Sequence, residues 1–261
     1  MGRDGDAEHG IGEAQSPGTE GRTEGRTEGQ GGRPRSAKVR ALRALGVAAL
    51  GGVIGYGVVF AVVSLVILGM SAAARGADRT AMHRVGGPSS VRGVQNFERV
   101  DDHLWRGSAP SADGYRHLAR LGVRTVVDLR AERLPASALA IPRRAGLTVV
   151  RLPLRDGQAP TPAQVDRFMT TVRSAKGTVF VHCGAGVGRA GTMAAAYLVH
   201  TGQADAATAT RRSLAVGPPT LEQLAFMRRL ERGKTARPPA ALVVLSRIAD
   251  SPRRSWSRLR G

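Results

Sequence analysis

The sequence predicts an α/β domain with a mostly parallel central sheet flanked by helices, preceded by one transmembrane helix. Three observations carry that prediction. Runs rich in Val and other strand formers recur at 124–128, 147–152 and 178–182. Segments long enough for a helix separate them, and this alternation builds parallel sheets covered on both faces. No charged residue occurs from 44 to 74, whereas about 20 apolar residues suffice to cross a bilayer.

Residues 1–32 hold seven acidic and three basic side chains around a repeated Thr-Glu-Gly-Arg unit. With almost nothing apolar to bury, 1–43 is expected to be a disordered low-complexity segment. The stretch 58–68 is apolar on every side, unlike one face of a soluble helix, so 44–74 is read as a transmembrane helix. Its end, Ala72-Ala-Ala74, resembles a signal-peptidase site, but the long polar leader does not suit a signal peptide; an uncleaved anchor is expected. Arg33, Arg35, Lys38, Arg40 and Arg43 precede it, against Arg75, Arg79 and Arg84 after it. That bias puts the N-terminus in the cytoplasm and the folded domain outside.

Residues 75–93 read as a linker and 94–233 as the folded domain. Strands are expected at 96–100 and 104–106, then a helix over 111–121 capped by Ser111, the strand 124–128 and a helix near 135–145. After the strand 147–152, Thr161 followed by Pro162 suits an N-cap and first helical residue, opening a helix to 174. The strand 178–182 leads to helices near 189–200, 204–214 and 220–232. The tail 234–261 carries Arg253, Arg254, Arg258, Arg260 and Trp256 behind an apolar stretch, a pattern suited to an anionic membrane surface.

The strand run Val179-Phe-Val-His-Cys183 ends in the only cysteine of the chain. Gly184-Ala-Gly-Val-Gly188 follows, then Arg189, then the helix-forming Met193-Ala-Ala-Ala-Tyr-Leu198. Glycines at 184, 186 and 188 let the backbone curl and turn successive N–H groups inward as an anion nest. The helix adds its positive end at the same point, and both features favour the nucleophilic thiolate. Arg189 can fork two N–H bonds onto phosphate oxygens. With 36 arginines in 261 residues, Cys-x5-Arg alone is a weak signal. His182, Gly186, Gly188, Gly191 and the flanking strand and helix make it a strong one. Gly184, Ala185, Gly186, Val187, Gly188 and Arg189 could together hold a phosphate while Cys183 attacks its phosphorus.

These residues resemble the signature His-Cys-x2-Gly-x2-Arg-(Ser/Thr)-Gly of the cysteine-dependent protein tyrosine and dual-specificity phosphatases. His182, Cys183, Gly186, Arg189 and Gly191 match; Ala190 does not. The resemblance covers about 94–233, and Leu104-Trp-Arg-Gly-Ser-Ala-Pro110 looks like the N-terminal part of bacterial members. It implies a dual-specificity phosphatase-like fold, a phosphocysteine intermediate and an aspartate acid on a loop upstream of the cysteine. Asp156, in the loop 155–160 between a strand and a helix, occupies that place. Asp166 falls within a helix, Asp128 ends a strand, and Asp101 and Asp102 read as turn residues. In the family the hydroxyl missing at 190 helps the departing thiolate; Thr192 carries one nearby. An active enzyme with slow intermediate breakdown is therefore expected. His182 is implied to fix the loop and tune the thiol.

The implied activity is phosphomonoester hydrolysis, first as a protein tyrosine/dual-specificity phosphatase acting on phosphotyrosine and on phosphoserine or phosphothreonine. A phospholipid-headgroup phosphatase is the alternative the membrane anchor suggests, and a weak phosphate-binding module the one Ala190 suggests. The loop supplies the charge stabilisation, so no metal or cofactor is called for. A nucleic-acid role is excluded despite the net charge of +19, because aromatics are 4% of the chain and no basic stripe flanks a recognition motif. A single cysteine allows no intramolecular disulfide.

Overall fold

The computed structural model describes residues 35–78 and 90–250. The chain divides into two compact units at Ala49/Leu50, and the packing below concerns the second. Five strands, β1 (Glu98–Arg99), β2 (Leu104–Ser108), β3 (Val123–Arg130), β4 (Thr148–Leu154) and β5 (Thr178–Cys183), form one sheet in the order β1-β2-β5-β3-β4. Only β1 runs antiparallel to its neighbour; β2, β5, β3 and β4 are mutually parallel. This is the mostly parallel α/β architecture the sequence predicts.

Side chains on successive strand residues point to opposite faces, and both faces are covered. Val179 and Val181 join Leu104, Val127, Leu129, Phe168 and Met193 in one core. Phe180, between them, joins Trp105, Val126, Tyr115 and Leu118 in the other. Helices α2 (Ala112–Arg120) and α3 (Ala136–Arg144) cover the second face. The first is covered by α4 (Pro162–Ser174), α5 (Gly188–His200), α6 (Ala206–Val216) and α7 (Leu221–Met227). The central strand β5 is therefore buried along nearly its whole length, and its apolar run reads as a two-sided core strand. Its last residue, Cys183, is set at the carboxyl edge of the sheet, opposite Ser108 of β2.

Local chemistry sets the helix starts. Ser111 accepts from the Gly114 amide, Asp205 from that of Thr208, and Thr161 and Thr220 each form a reciprocal capping box with the glutamine three residues on. Helix α5 differs: Val187 precedes it and no side chain caps it. Its first amides are left for another acceptor.

Several expected boundaries move. Helix α1 runs Arg35–Asp78, so the charge-free stretch 44–74 is the middle of a longer helix and the expected linker starts later. Val91, also assigned to the linker, bridges Val94, and both are buried in the domain. The strand expected over 96–100 shrinks to Glu98–Arg99. The helix expected to reach 232 ends at Met227, where residues 228 and 229 turn the chain. In the tail, α8 (Ala240–Ala249) is helical, and its outward residues Leu242, Val244, Leu245 and Ile248 are apolar rather than basic. Residues 35–43, expected to be disordered, form the start of α1, while 1–34 of that segment, the tail arginines and Trp256 lie outside the described residues.

Candidate active site

Cys183 leaves β5 at the carboxyl ends of the parallel strands, where open α/β sheets place their sites. Its sulfur accepts the Gly186 N–H at 3.2 Å. That amide points inward because Gly186 has φ +79° and lies against β2. A Cβ there would sit 2.3 Å from the Gly107 carbonyl carbon, so only glycine fits. The back of the loop is tied down as well. Ala109 N–H donates to Gly184 O at 3.0 Å, and the Asn96 amide donates to Ala185 O at 2.8 Å. Two carbonyls of the loop are thus taken up by outside donors, and α5 starts uncapped at the end of the loop.

Arg189, in the first turn of α5, is buried, and Cys183 is among the groups that act on its charge. Its Nη1 and Nη2 donate to the two carboxylate oxygens of Glu132 at 2.9 and 2.8 Å, and Nη1 also reaches Leu154 O at 3.1 Å. Nε lies 3.3 Å from Asp156 Oδ1 but makes no hydrogen bond among the described residues. Nη2 is 3.6 Å from where a Gly184 side chain would begin. Nη2 thus meets both Glu132 and the loop, while Nε faces Asp156. Burial acts to lower the Arg189 pKa, but Glu132, Asp156 and Cys183 outweigh it and hold the pKa above its ordinary value. The same pairing outweighs burial at Glu132 and keeps that carboxyl below the usual range.

The predicted acid, Asp156, is 37% exposed and touches Arg189 through one oxygen only. It sits on a turn closed by Gln158 N–H donating to Arg155 O. The start of α7 grips this turn at three points. Thr220 Oγ donates to Gly157 O at 2.7 Å, Gln223 Nε2 to Gln158 O at 3.2 Å, and Ala159 N–H donates to Glu222 Oε1 at 3.1 Å. Gln223 also lies against the loop at Gly188. One short segment therefore braces both the acid turn and the nucleophile loop.

His182 is fully buried with Nε2 3.1 Å from Tyr115 Oη and Nδ1 3.3 Å from Cys183 O. Those partners fix the tautomer: Nδ1–H donates to the carbonyl and Nε2 accepts from tyrosine. Burial pushes the imidazole pKa down to about 4, so it is neutral and acts by hydrogen bonding. Between the ordinary histidine value and about 4, the unfolded chain binds a proton that the folded chain does not. Stability should therefore fall by ~3 kcal/mol as pH drops through that window. Urea titrations at about pH 7.5 and about pH 5 should show about 2 kcal/mol of this loss. His182→Gln should be less stable throughout yet lack this part of the slope; an unchanged slope would assign the acid sensitivity elsewhere.

Of the residues expected from sequence, Gly186 meets the Cys183 sulfur, Asp156 meets Arg189, and His182 holds the Cys183 carbonyl from within the core. Thr192 is buried, but its hydroxyl is committed to Gly188 O at 2.7 Å, inside its own helix. It does not stand in for the hydroxyl missing at Ala190, which is itself fully buried. Asp128 ties its own turn, accepting from Arg130 N–H at 2.9 Å and pairing with that side chain. Asp101 accepts from the His103 and Leu104 amides and from Tyr197, as a turn residue does. Glu132, Asn96 and Tyr115 were not singled out. Glu132 alone had a visible signal, a carboxylate just past the end of a parallel strand.

Comparison with known proteins puts this domain among phosphatases of the dual-specificity and tyrosine type. The family described as DSP-PTPase phosphatase fused to NAD+ kinase matches residues 83–229, and the chain belongs to it. Curated relatives include the probable NAD kinase 2, chloroplastic, of Oryza sativa subsp. japonica, 34% identical over 123 residues. Another is the dual specificity protein phosphatase CDC14C of Homo sapiens, 48% identical over 44 residues. These matches take in 45% and 17% of this chain but only 12% and 10% of those proteins. Among solved structures, P. aeruginosa TpbA in complex with pTyr is 25% identical (TM-score 0.42; 50% of this chain, 84% of that one). The catalytic domain of the PP-IP phosphatase SIW14 from S. cerevisiae is 17% identical (TM-score 0.47; 54% and 89%).

Proposed function

We propose that this chain is a membrane-anchored phosphomonoester hydrolase that works through a phosphocysteine, with phosphotyrosine on proteins as its first substrate. One observation carries the reading: the Cys183 sulfur sits beneath the Gly186 amide and an uncapped helix start, near a buried guanidinium whose Nε makes no hydrogen bond among the described residues. Cys183 attacks phosphorus. The loop amides and Arg189 hold the three equatorial oxygens, and Asp156 gives its proton to the leaving oxygen. Asp156 then takes a proton from water as that water attacks the phosphocysteine, and the thiolate departs. Relatives named as a dual specificity phosphatase and a tyrosine-protein phosphatase favour a phosphoprotein over a lipid headgroup. The loop also carries no lysine for additional phosphates.

Full-length protein in detergent, fully reduced, should release phosphate from a phosphotyrosine peptide faster than from phosphatidylglycerophosphate. The reverse order would favour the lipid reading, and no release from either would end the proposal. Loss of the hydroxyl at 190 should make the second step slow, so aryl phosphate should give a burst of one phenol per enzyme before the steady rate. Ala190→Ser should shrink the burst and raise the steady rate. A linear time course in the wild type would remove Ala190 from the account.

The anchor is α1, whose 38–76 portion is long and apolar enough to cross a membrane, with a mean hydropathy of 2.5 over its most apolar window. The arginine excess before it favours a catalytic domain outside the cytoplasm. Reporter fusions at residue 90 test that orientation.

A further inference from the structure

Helix α1 is longer than an anchor needs to be. Starting after Arg43, about 20 residues fill the hydrocarbon core and carry the helix to about Val63. From Tyr56 onward one face turns to protein. Tyr56, Val63, Ser64, Ile67, Met70, Ser71 and Ala74 are its half-buried or buried positions, spaced as one helical stripe. Ala74 and Met70 join the catalytic core. The other sides of α1 at the same level, Val59, Val62, Leu65 and Val66, remain exposed and apolar.

Helix α8 lies against the start of that stripe. Tyr56 Oη donates to the terminal carbonyls of α8, at 2.9 Å to Ile248 O and 3.1 Å to Ala249 O. Those carbonyls have no later turn to pair with, and here a tyrosine serves them in place of water. The sole charge in α8, Arg247, pairs with the buried Glu222. Its outer face is apolar, continuing the exposed surface of α1.

Between α1 and the domain lies a cleft of about 240 Å³, walled by Phe60, Val63, Ile67, Leu221 and Ala249 among others. It is smaller than a typical small-molecule site of roughly 300–1,000 Å³. The polar groups on its domain side are already engaged: Thr220 Oγ donates to Gly157 O, and Ser246 Oγ accepts from Glu222 N–H and donates to Asp250. A polar ligand would find little to bind, while the mostly apolar lining suits an alkyl chain. Because one wall is the membrane helix at the level where it leaves the bilayer, acyl chains are the apolar molecules within reach.

Resting on the membrane reading above, we propose that this cleft is an acyl-chain site for a bilayer phospholipid. Its protein wall, Pro218–Leu221, runs straight into the segment that grips the acid turn, so an occupying chain would steady Asp156 and seat the active site at the lipid surface. The test uses the full chain reconstituted in phosphatidylethanolamine–phosphatidylglycerol vesicles that contain a phosphatidylcholine with a diazirine in its acyl chain. Irradiation and peptide mapping should place adducts on Phe60, Leu221 or Ala249 as well as on the open face at Leu50 and Val53. Ala249→Trp and Val63→Trp, each filling the cleft from a different wall, should abolish the cleft adducts and leave the open-face ones, whereas Leu50→Trp should spare the cleft. Adducts on the open face alone, as expected if protein occupied the cleft, would overturn the proposal. Adducts nowhere on α1 would overturn the anchor itself.

Discussion

Cys183→Ser should lower kcat on any phosphate monoester by on the order of 10⁴- to 10⁶-fold, the scale seen when a covalent catalyst loses its nucleophile. The change replaces one second-row atom by oxygen. A serine hydroxyl stays protonated beside the loop amides, and no base lies close enough among its hydrogen-bond partners to activate it. Everything proposed to hold the phosphate is left in place: the Gly186 amide, the uncapped start of α5, and the Arg189 guanidinium. Phosphate affinity should therefore remain within a few-fold of wild type while turnover disappears. The side chain is buried in the main core, but the substitution is small and the melting temperature should move little. Residual turnover above about 1% would show that some other group attacks phosphorus. Loss of phosphate binding together with turnover would show instead that the sulfur is needed to build the loop.

The elements around the nucleophile were legible because each is set by local chemistry. Thr161-Pro162 marks the start of α4, Ser111 that of α2, and the Val-Phe-Val run of β5 is buried on both faces. The loop was legible for the same reason, since glycine spacing and one arginine define it within a few residues. What escaped depends on distance in the chain. Glu132 meets Arg189 across 57 residues, Asn96 meets Ala185 across 89, and Tyr115 meets His182 across 67. Asn96 and Tyr115 read locally as ordinary strand and helix residues, and Glu132 shows only as a carboxylate just past a strand. Gln223 is a sharper case: its place in a capping box can be read from Thr220, but the same amide also holds the acid turn. Strand order was hidden as well, because β2 inserts beside β5 after a separation no local pattern encodes. Thr192 was misjudged for a local reason. A threonine hydroxyl in a helix readily bonds to the carbonyl four residues back, and here it does.

Two carboxylates touch Arg189, and Asp156→Asn decides between them. Glu132 is gripped through both oxygens by the Nη pair and held ionised well into the acid range, so it is poorly placed to give up a proton. Asp156 meets only Nε, through one oxygen, on a turn braced by α7 and open to solvent. If Asp156 protonates the departing oxygen, kcat/KM of Asp156→Asn should fall by about 10²- to 10⁴-fold for alkyl and unactivated aryl phosphates. The deficit should shrink steadily as the leaving group becomes more acidic, because a stable phenolate departs without help. Glu132→Gln should show no such trend; its loss should be similar for every leaving group, because it orients Arg189 without touching the departing oxygen. The measurement is kcat/KM across a series of aryl phosphates, with the logarithm plotted against leaving-group pKa for the three proteins. Wild type should give a shallow line, Asp156→Asn a steep one, and Glu132→Gln a line parallel to wild type. Parallel lines for wild type and Asp156→Asn would reduce that residue to a partner of the guanidinium. A steep line for Glu132→Gln would transfer the proton to the residue that the geometry now assigns to positioning.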